Sequence, residues 1–287
     1  MDESIYLNEL SLDGQYNSME EFFQAARPFM KCLKLISDKN CQIQKHSMLY
    51  GRKITKDKTL NDLRGMRGDS VTRLKSLLLS VTDSPPFWDW KEEFAQDLTA
   101  EYICDNENVS ATSLPEAAED QGVLLSFPHK KYQDKVLRIV KNGRDIFSLP
   151  AAATVSFMAK CLMDKGVLEF NEYLSARYAD TRLNFSMLEP EYGFDNFEKE
   201  EVDDCLRTFD KFVSIHTWDE IYRDSGLNYK KYSPGSDAYD WFRRTKYRGM
   251  SIAKFRCGNP KRCFGFREGD VFYVLRMERD HKISDHG

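Results

Sequence analysis

The sequence lacks the features that most directly assign a location or a chemistry. No apolar run approaches the roughly 20 residues that a membrane helix requires. The first residues, MDESIYLNEL, do not join a basic segment to an apolar one as a secretory signal does. P-loop, G-x-G-x-x-G, G-x-S-x-G and H-E-x-x-H patterns are all missing. We therefore expect a cytoplasmic protein with no membrane association and no cofactor.

Internal repeats and low-complexity tracts are also absent from the sequence. Its seven cysteines are odd in number and lie mostly in apolar-periodic segments, which favours reduced, buried thiols over a disulfide framework. Hydrophobic residues make up 41% of the chain and aromatic residues 13%, enough to form buried cores. A length of 287 residues suggests two domains of ordinary size or one large one.

Local patterns predict an α+β fold with a boundary near residue 170. Ser18 and Glu21 form a capping box before an amphipathic helix, and Asn142-Gly143 separates two alternating runs as in a β-hairpin. We expect residues 1–170 to form a mixed helical domain with short strands, of unknown role. Residues 171–287 are expected to form a helical segment and an antiparallel sheet packed on helices.

Charge is divided unevenly between two neighbouring segments. Residues 189–210 hold nine acidic and two basic residues, a net charge of −7, whereas residues 222–268 hold four acidic and twelve basic residues, a net charge of +8. Such a division favours a basic patch on an otherwise acidic protein. Alternatively, the two segments pack against each other and their charges cancel.

The C-terminal residues alternate in the manner of three strands, at 251–256, 261–267 and 271–279. Gly258-Asn259-Pro260 and Glu268-Gly269-Asp270 supply the turns between them. Simple alternation in the last strand places four residues on each face. One face has Val271, Tyr273, Leu275 and Met277, and the other has Phe272, Val274, Arg276 and Glu278.

Basic and aromatic side chains are interleaved in this region, a composition typical of nucleic-acid binding. Cations bind phosphates, and aromatic rings stack on bases. The predicted binding residues are Arg243, Arg244, Lys246, Arg248, Lys261, Arg262, Arg267 and Tyr273. The alternative is a sheet that buries its aromatic residues and leaves its arginines in solvent.

A zinc site is a further alternative for the same residues. Cys257 and Cys263 are separated as C-x5-C, and His281 and His286 follow as H-x4-H. Zinc needs four converging nitrogen or sulfur ligands, usually from tighter cysteine pairs than this one. Two small, half-buried thiols are the favoured explanation of the cysteines, so we predict no metal.

The residues KFR and KRCFGFREGDVFYVLRMERDH resemble the end of the RelE-like ribonuclease toxins. The resemblance implies a sheet packed on helices, with a concave basic face that holds RNA. It also implies metal-independent RNA cleavage by 2′-hydroxyl attack, which requires a base, an acid and cations on the phosphate. Candidates for these roles are Arg256 and Arg276 on the phosphate, Lys254 assisting them, and His281 as the acid or base.

The N-terminal segment YLNELSLDGQYNSMEEF is similar to uncharacterised proteins of bacterial antiphage defence loci. We therefore expect a bacterial antiviral defence or toxin-type protein whose basic C-terminal domain binds RNA, in preference to DNA, with RNA cleavage left open. An antitoxin or another protein is an expected partner. The alternative function is a non-enzymatic protein–protein interaction subunit of a defence complex, in which the charge division sets specificity.

Overall fold

A computed structural model describes residues 4–66, 69–82 and 84–283 of the chain. It has two compact units, Met1–Glu169 and Phe170–Gly287, beside the predicted boundary of 170. We call them the N-terminal and C-terminal units. Both contain helices and a mixed sheet, which confirms the predicted α+β class. No helix within the described residues has the length and apolarity to cross a membrane.

The N-terminal unit is built on a seven-stranded sheet. Its strands are β1 (Ser4–Leu7), β2 (Gln42–Gln44), β3 (Tyr102–Cys104), β4 (Glu107–Asn108), β5 (Val123–Leu125), β6 (Lys135–Lys141) and β7 (Asp145–Ala152). Their order is β2-β1-β5-β7-β6-β3-β4. The first four strands in that order are parallel, and the remaining pairings are antiparallel.

Five helices accompany this sheet. They are α1 (Met19–Ala25), α2 (Arg27–Asp38), α3 (Asp69–Thr82), α4 (Ser113–Glu119) and α5 (Val155–Asp164). Ser18 caps α1, since its side chain accepts a hydrogen bond from the backbone N–H of Glu21, but the Glu21 carboxylate accepts from the backbone N–H of Asn17 and not from that of Ser18, so only half of the predicted capping box forms. A core of buried residues joins the sheet to α4, including Tyr6, Leu114 and Leu149.

The predicted hairpin is confirmed between β6 and β7. Asn142 and Gly143 both have positive φ, at 48° and 70°. Lys141 pairs with Asp145, so the loop holds three residues and not the two of the simplest hairpin turn. Both residues at the turn tolerate the left-handed region, which is why the sequence pattern identified it.

The C-terminal unit contains a five-stranded sheet and three helices. They are, in chain order, α6 (Phe170–Arg177), β8 (Leu183–Asn184), α7 (Lys199–Ser214), α8 (Trp218–Arg223), β9 (Lys230–Lys231), β10 (Ile252–Arg256), β11 (Arg262–Glu268) and β12 (Val271–Glu278). The sheet order is β8-β12-β11-β10-β9, with only β8 parallel to its neighbour. The three predicted C-terminal strands are confirmed, each end within one residue.

One face of this sheet packs on α7 through aromatic side chains. The ring of Phe212 lies 4.8 Å from that of Phe255 in β10 and 6.0 Å from that of Phe272 in β12, measured between centroids. Phe209, one helical turn earlier, lies 6.2 Å from Phe255. All four rings are fully buried. Of the acidic residues of α7, Glu200, Asp203 and Asp210 are exposed, whereas Glu201 and Asp204 are half-buried.

A β-bulge between β11 and β12 changes the predicted alternation. Phe264 pairs with Arg276, but the next residue, Gly265, pairs with Val274, so Leu275 is the extra residue. Tyr273 and Arg276 consequently face the same side, whereas simple alternation had put them on opposite sides. A Cβ atom at Gly265 would lie 2.0 Å from the carbonyl oxygen of Tyr273, so only glycine fits there.

We expect Gly265→Ala to lower the free energy of unfolding of the C-terminal unit by about 3 kcal/mol, because the backbone of β12 would have to shift. Gly226→Ala is the control. There a Cβ would meet the Lys211 ammonium at 2.9 Å, and that flexible side chain can move aside. Urea denaturation of the two variants measures the difference. Equal stabilities would contradict the assigned role of Gly265.

Candidate nucleic-acid interface

The strands β10, β11 and β12 bring four of the predicted cations onto one face of their sheet. Lys254 in β10 and Arg276 in β12 are both paired with Phe264 in β11. Two residues after Lys254 in β10, Arg256 is paired with Arg262 in β11. Paired residues project to the same side, and residues two apart in a strand share that side. We call this side the cationic face.

An aromatic layer covers the cationic face. Tyr232, Phe242 and Tyr247 belong to one buried cluster with Phe264, and Trp241 packs against it. The ring centroid of Phe264 lies 5.3 Å from that of Tyr232 and 5.2 Å from that of Trp241. We call residues 232–250, which carry this layer, the aromatic cover. The cationic face is therefore part of a core and not the concave open surface that the resemblance implied.

Arg276 is held inside this core by a carboxylate, a carbonyl group and aromatic rings. Its Nε atom donates a hydrogen bond to Glu189 at 2.5 Å, and Nη1 donates to the carbonyl oxygen of Trp241 at 2.7 Å. The guanidinium carbon lies 4.0 Å from the ring centroid of Tyr192 and 4.8 Å from that of Phe242. With 4% of its surface exposed, Arg276 is not available to a phosphate.

Lys254 and Arg262 are buried beneath the same cover. Lys254 is 1% exposed, and its ammonium nitrogen lies 5.6 Å from the ring centroid of Tyr232 and 5.9 Å from that of Phe264. Arg262 is 7% exposed and donates through Nη1 to two carbonyl oxygens of the preceding turn, each at 2.8 Å. Neither side chain presents its charge to a polyanion in this arrangement.

The acidic helix α7 pairs with the predicted cation Lys261 and with Arg279, which was not predicted. Lys261, whose side chain is 4% exposed, donates to Asp204 at 3.1 Å, and this hydrogen bond lowers the pKa of the Asp204 carboxyl. Arg279 pairs with Glu201 at 2.8 Å. Only the Lys261–Asp204 pair among these contacts joins the acidic segment 189–210 to the basic segment 222–268, because Arg276 and Arg279 lie beyond the latter.

Arg256 and His281 complete the predicted catalytic set. Both side chains are half-buried. The Nε atom of Arg256 is buried and has no hydrogen-bond partner within the residues described. His281 follows the end of β12 and has a positive φ of 63°. Because Lys254 and Arg276 are enclosed, the four residues do not line one open site.

The predicted cations that reach solvent lie mainly on the outside of the aromatic cover. Arg243, Arg244, Lys246 and Arg248 are all exposed, and no carboxylate in the described part of the chain forms an ion pair with them. We call residues 243–248 the basic loop. Phe242, which precedes it, and Tyr247, within it, are 2% and 3% exposed and hold the loop against the sheet.

A partly exposed aromatic pair adjoins the basic loop. The rings of Phe266 in β11 and Tyr273 in β12 are stacked, with centroids 5.2 Å apart and planes inclined by 16°. The ring of Tyr247 lies 6.5 Å from that of Phe266. The bulge in β12 keeps Tyr273 on the same side as the aromatic cover, so cations and stacked rings share one surface.

Three further exposed cations, Arg267, Lys230 and Lys231, lie outside the basic loop. The Arg267 guanidinium carbon is 4.1 Å from the ring centroid of Trp218 in α8, and its Nε donates to the carbonyl oxygen of Gly269. This places Arg267 on the side of the sheet that carries the helices. Lys230 and Lys231 are exposed on the outermost strand, β9. The predicted set omitted them, although their charge and their tyrosine neighbours in the sequence matched its pattern.

The residues of the zinc alternative assemble in an unexpected way. Cys257 and Cys263 lie beside each other, and Cys205 of α7 joins them, with all three fully buried. Burial raises the pKa of the Cys257 and Cys263 thiols, which opposes the thiolate form that zinc requires. Among the described residues, no group of three or more His, Cys, Asp or Glu has the arrangement of a metal site. His286 lies outside those residues.

We expect Arg276→Ala to lower the free energy of unfolding by about 3 kcal/mol, because it leaves the Glu189 carboxylate without its partner and a gap among aromatic rings. Arg243→Ala, at an exposed site of the same unit, is the control and should change stability by less than about 0.5 kcal/mol. Chemical denaturation measures both. An Arg276→Ala protein as stable as the control would show that the buried pair is dispensable.

The Lys261–Asp204 pair should make stability depend on pH. The folded-state pKa of Asp204 is lowered from 3.8, so the pair stabilises the fold above that pH and its contribution is lost as the pH falls through the folded pKa. The difference in stability between the wild type and Lys261→Met should therefore be constant from neutral pH to about 4 and shrink below it. Urea denaturation across this range measures it. A difference that does not vary with pH would exclude the pair as its source.

The chain was compared with protein-family models, curated proteins and solved structures, and none of them matches it. The similarity of its last residues to RelE-like toxins stays an expectation from the quoted motif. The function therefore has to be inferred from the residues and contacts of the chain itself.

Proposed function

We propose that the C-terminal unit binds RNA on the surface formed by the basic loop and the Phe266–Tyr273 pair. The observation that carries the proposal is the exposure of four cations within six residues, none of them neutralised by a carboxylate in the regions described. The other predicted cations are buried, half-buried, paired or on the opposite side of the sheet. RNA binding of this kind would act in the cytoplasm.

The charges of the basic loop support contact with phosphate groups. The loop carries Arg243, Arg244, Lys246 and Arg248 close enough together for several of them to contact the phosphates of one RNA strand. Arginine donates in a planar fork that suits phosphate oxygens, and release of counterions from the strand favours binding at low salt. Contacts of this type hold the backbone of RNA and do not select its sequence.

The stacked rings support contact with unpaired bases. Tyr273 is partly exposed and stacks on Phe266, so the exposed part of its ring is available to a base. Stacking on an aromatic ring contributes about 1–3 kcal/mol per base and tolerates any base. A row of cations beside an aromatic ring is therefore suited to single-stranded RNA, because paired bases do not expose their faces.

The proposal concerns binding and leaves cleavage aside. In-line cleavage would need a base, an acid and cations around one phosphate, but Lys254 and Arg276 lie under the aromatic cover. The similarity of the N-terminal segment to antiphage proteins supports a role in bacterial defence, in which RNA from an invading phage is a suitable ligand. A protein partner such as an antitoxin would compete for the same basic surface.

Replacing Arg243, Arg244, Lys246 and Arg248 with alanine should weaken binding of an unstructured RNA oligonucleotide by about a hundredfold at low salt. The slope of log affinity against log salt should become shallower by about three, since each phosphate contact on a single strand contributes about 0.7. Fluorescence anisotropy in a salt series measures both.

The control removes the same charge from exposed positions of the N-terminal unit, by replacing Lys34, Lys56, Lys91 and Arg144 with alanine. It should leave the affinity and the slope nearly unchanged. If both quadruple variants lose affinity equally, the effect comes from net charge and the proposed surface is excluded. If the wild type does not bind RNA, the alternative of a protein-interaction subunit is favoured.

Tyr273→Ala should weaken binding about tenfold or more while leaving the salt slope unchanged, because it removes a stacking contact and no charge. Tyr222→Ala is the matched control, since Tyr222 is exposed on the side of the sheet that carries Trp218 and Arg267. An equal affinity for the two tyrosine variants would exclude the aromatic pair from the binding surface.

A further inference from the structure

A buried lysine lines a small cavity in the N-terminal unit, well apart in the sequence from the basic loop. Lys45 directly follows β2 and is 2% exposed. The cavity has a volume of about 270 Å³. Its walls come from α2, the β2 segment, α3 and the chain around Pro85 and Pro86. Lysine is among the residues least often buried without a partner, so its position here requires an explanation.

The Lys45 ammonium group is poorly satisfied by the protein. Its nitrogen donates one long hydrogen bond, 3.4 Å, to the carbonyl oxygen of Pro86, and it lies 4.8 Å from the ring centroid of Phe87. Across the described ranges, no carboxylate forms an ion pair with it. An ammonium group has three donors, and a buried charge is costly unless it is paired. Burial accordingly lowers the pKa of Lys45 to about 8.

The rest of the cavity is open to solvent on one side, and its wall is apolar and polar in similar measure. Its lining includes Leu33, Ile36, Ile43, Leu77 and Val81, together with several serines. One cation beside a group of apolar side chains matches a ligand with one negative charge and a short hydrocarbon body. Since a cavity of about 150 Å³ accommodates benzene, about 270 Å³ holds roughly ten non-hydrogen atoms.

We propose that this cavity binds a small apolar carboxylic acid, with the carboxylate on the Lys45 ammonium group and the hydrocarbon chain against α2 and α3. A carboxylate supplies the acceptors that the ammonium group lacks, and charge-assisted hydrogen bonds of this type are the stronger class. The apolar walls contribute by removing the hydrocarbon from water. This ligand site is independent of the proposed RNA surface.

Octanoate, with ten non-hydrogen atoms, is the probe, and octanol is its uncharged analogue. Calorimetry on the full chain should show that the wild type binds octanoate about tenfold or more tightly than octanol. Lys45→Met should remove that preference and leave octanol binding nearly unchanged, because methionine keeps the apolar volume and loses the charge. Lys34→Met, on the exposed side of α2, is the matched control and should retain the preference.

A second variant and a chemical readout keep the test decisive if Lys45→Met folds poorly. Val81→Phe should fill the cavity and weaken both ligands. In the wild type, octanoate should slow reductive methylation of Lys45, followed by peptide mass spectrometry, but should not slow that of Lys34. Failure of the wild type to bind octanoate would overturn the proposal. So would equal octanoate affinity in the Lys45→Met protein, or equal protection of the two lysines.

Discussion

The buried contact between Arg276 and Glu189 is the interaction on which the C-terminal unit most depends. It joins a central strand of the sheet to a segment 87 residues earlier, and the same guanidinium group holds the backbone of Trp241. A charge enclosed by aromatic rings is stable only if its hydrogen bonds are made. The pair therefore fixes where the aromatic cover lies, and so determines which side of the cover faces solvent.

That constraint separates the basic residues of the unit into two classes. Lys254, Arg276 and Lys261 are structural, because aromatic rings enclose the first two and Asp204 of the acidic helix pairs with the third. Those of the basic loop are exposed and are therefore available to a ligand. The same cluster of arginines and lysines in the sequence thus serves two purposes that local composition does not distinguish.

Local sequence patterns were sufficient to predict the C-terminal strands and the hairpin, but not to predict which basic residues are exposed. The three C-terminal strands and the Asn142-Gly143 hairpin follow from alternation and turn residues, which act between near neighbours. The bulge at Leu275 depends on Gly265 meeting a carbonyl group of the next strand, and the burial of Arg276 depends on Glu189. Such contacts between distant residues leave no periodic signal. The burial of Lys45 could not be predicted either, because a single lysine after a short strand is common in protein sequences.

The two lysines of β9 have a consequence for how the protein behaves at high concentration. A terminal strand offers unpaired backbone groups that can recruit the edge of another molecule and extend the sheet. Lys230 and Lys231 stand exposed on that strand. Two such edges approaching each other would bring four ammonium groups together, and their repulsion protects the protein from aggregation through strand pairing.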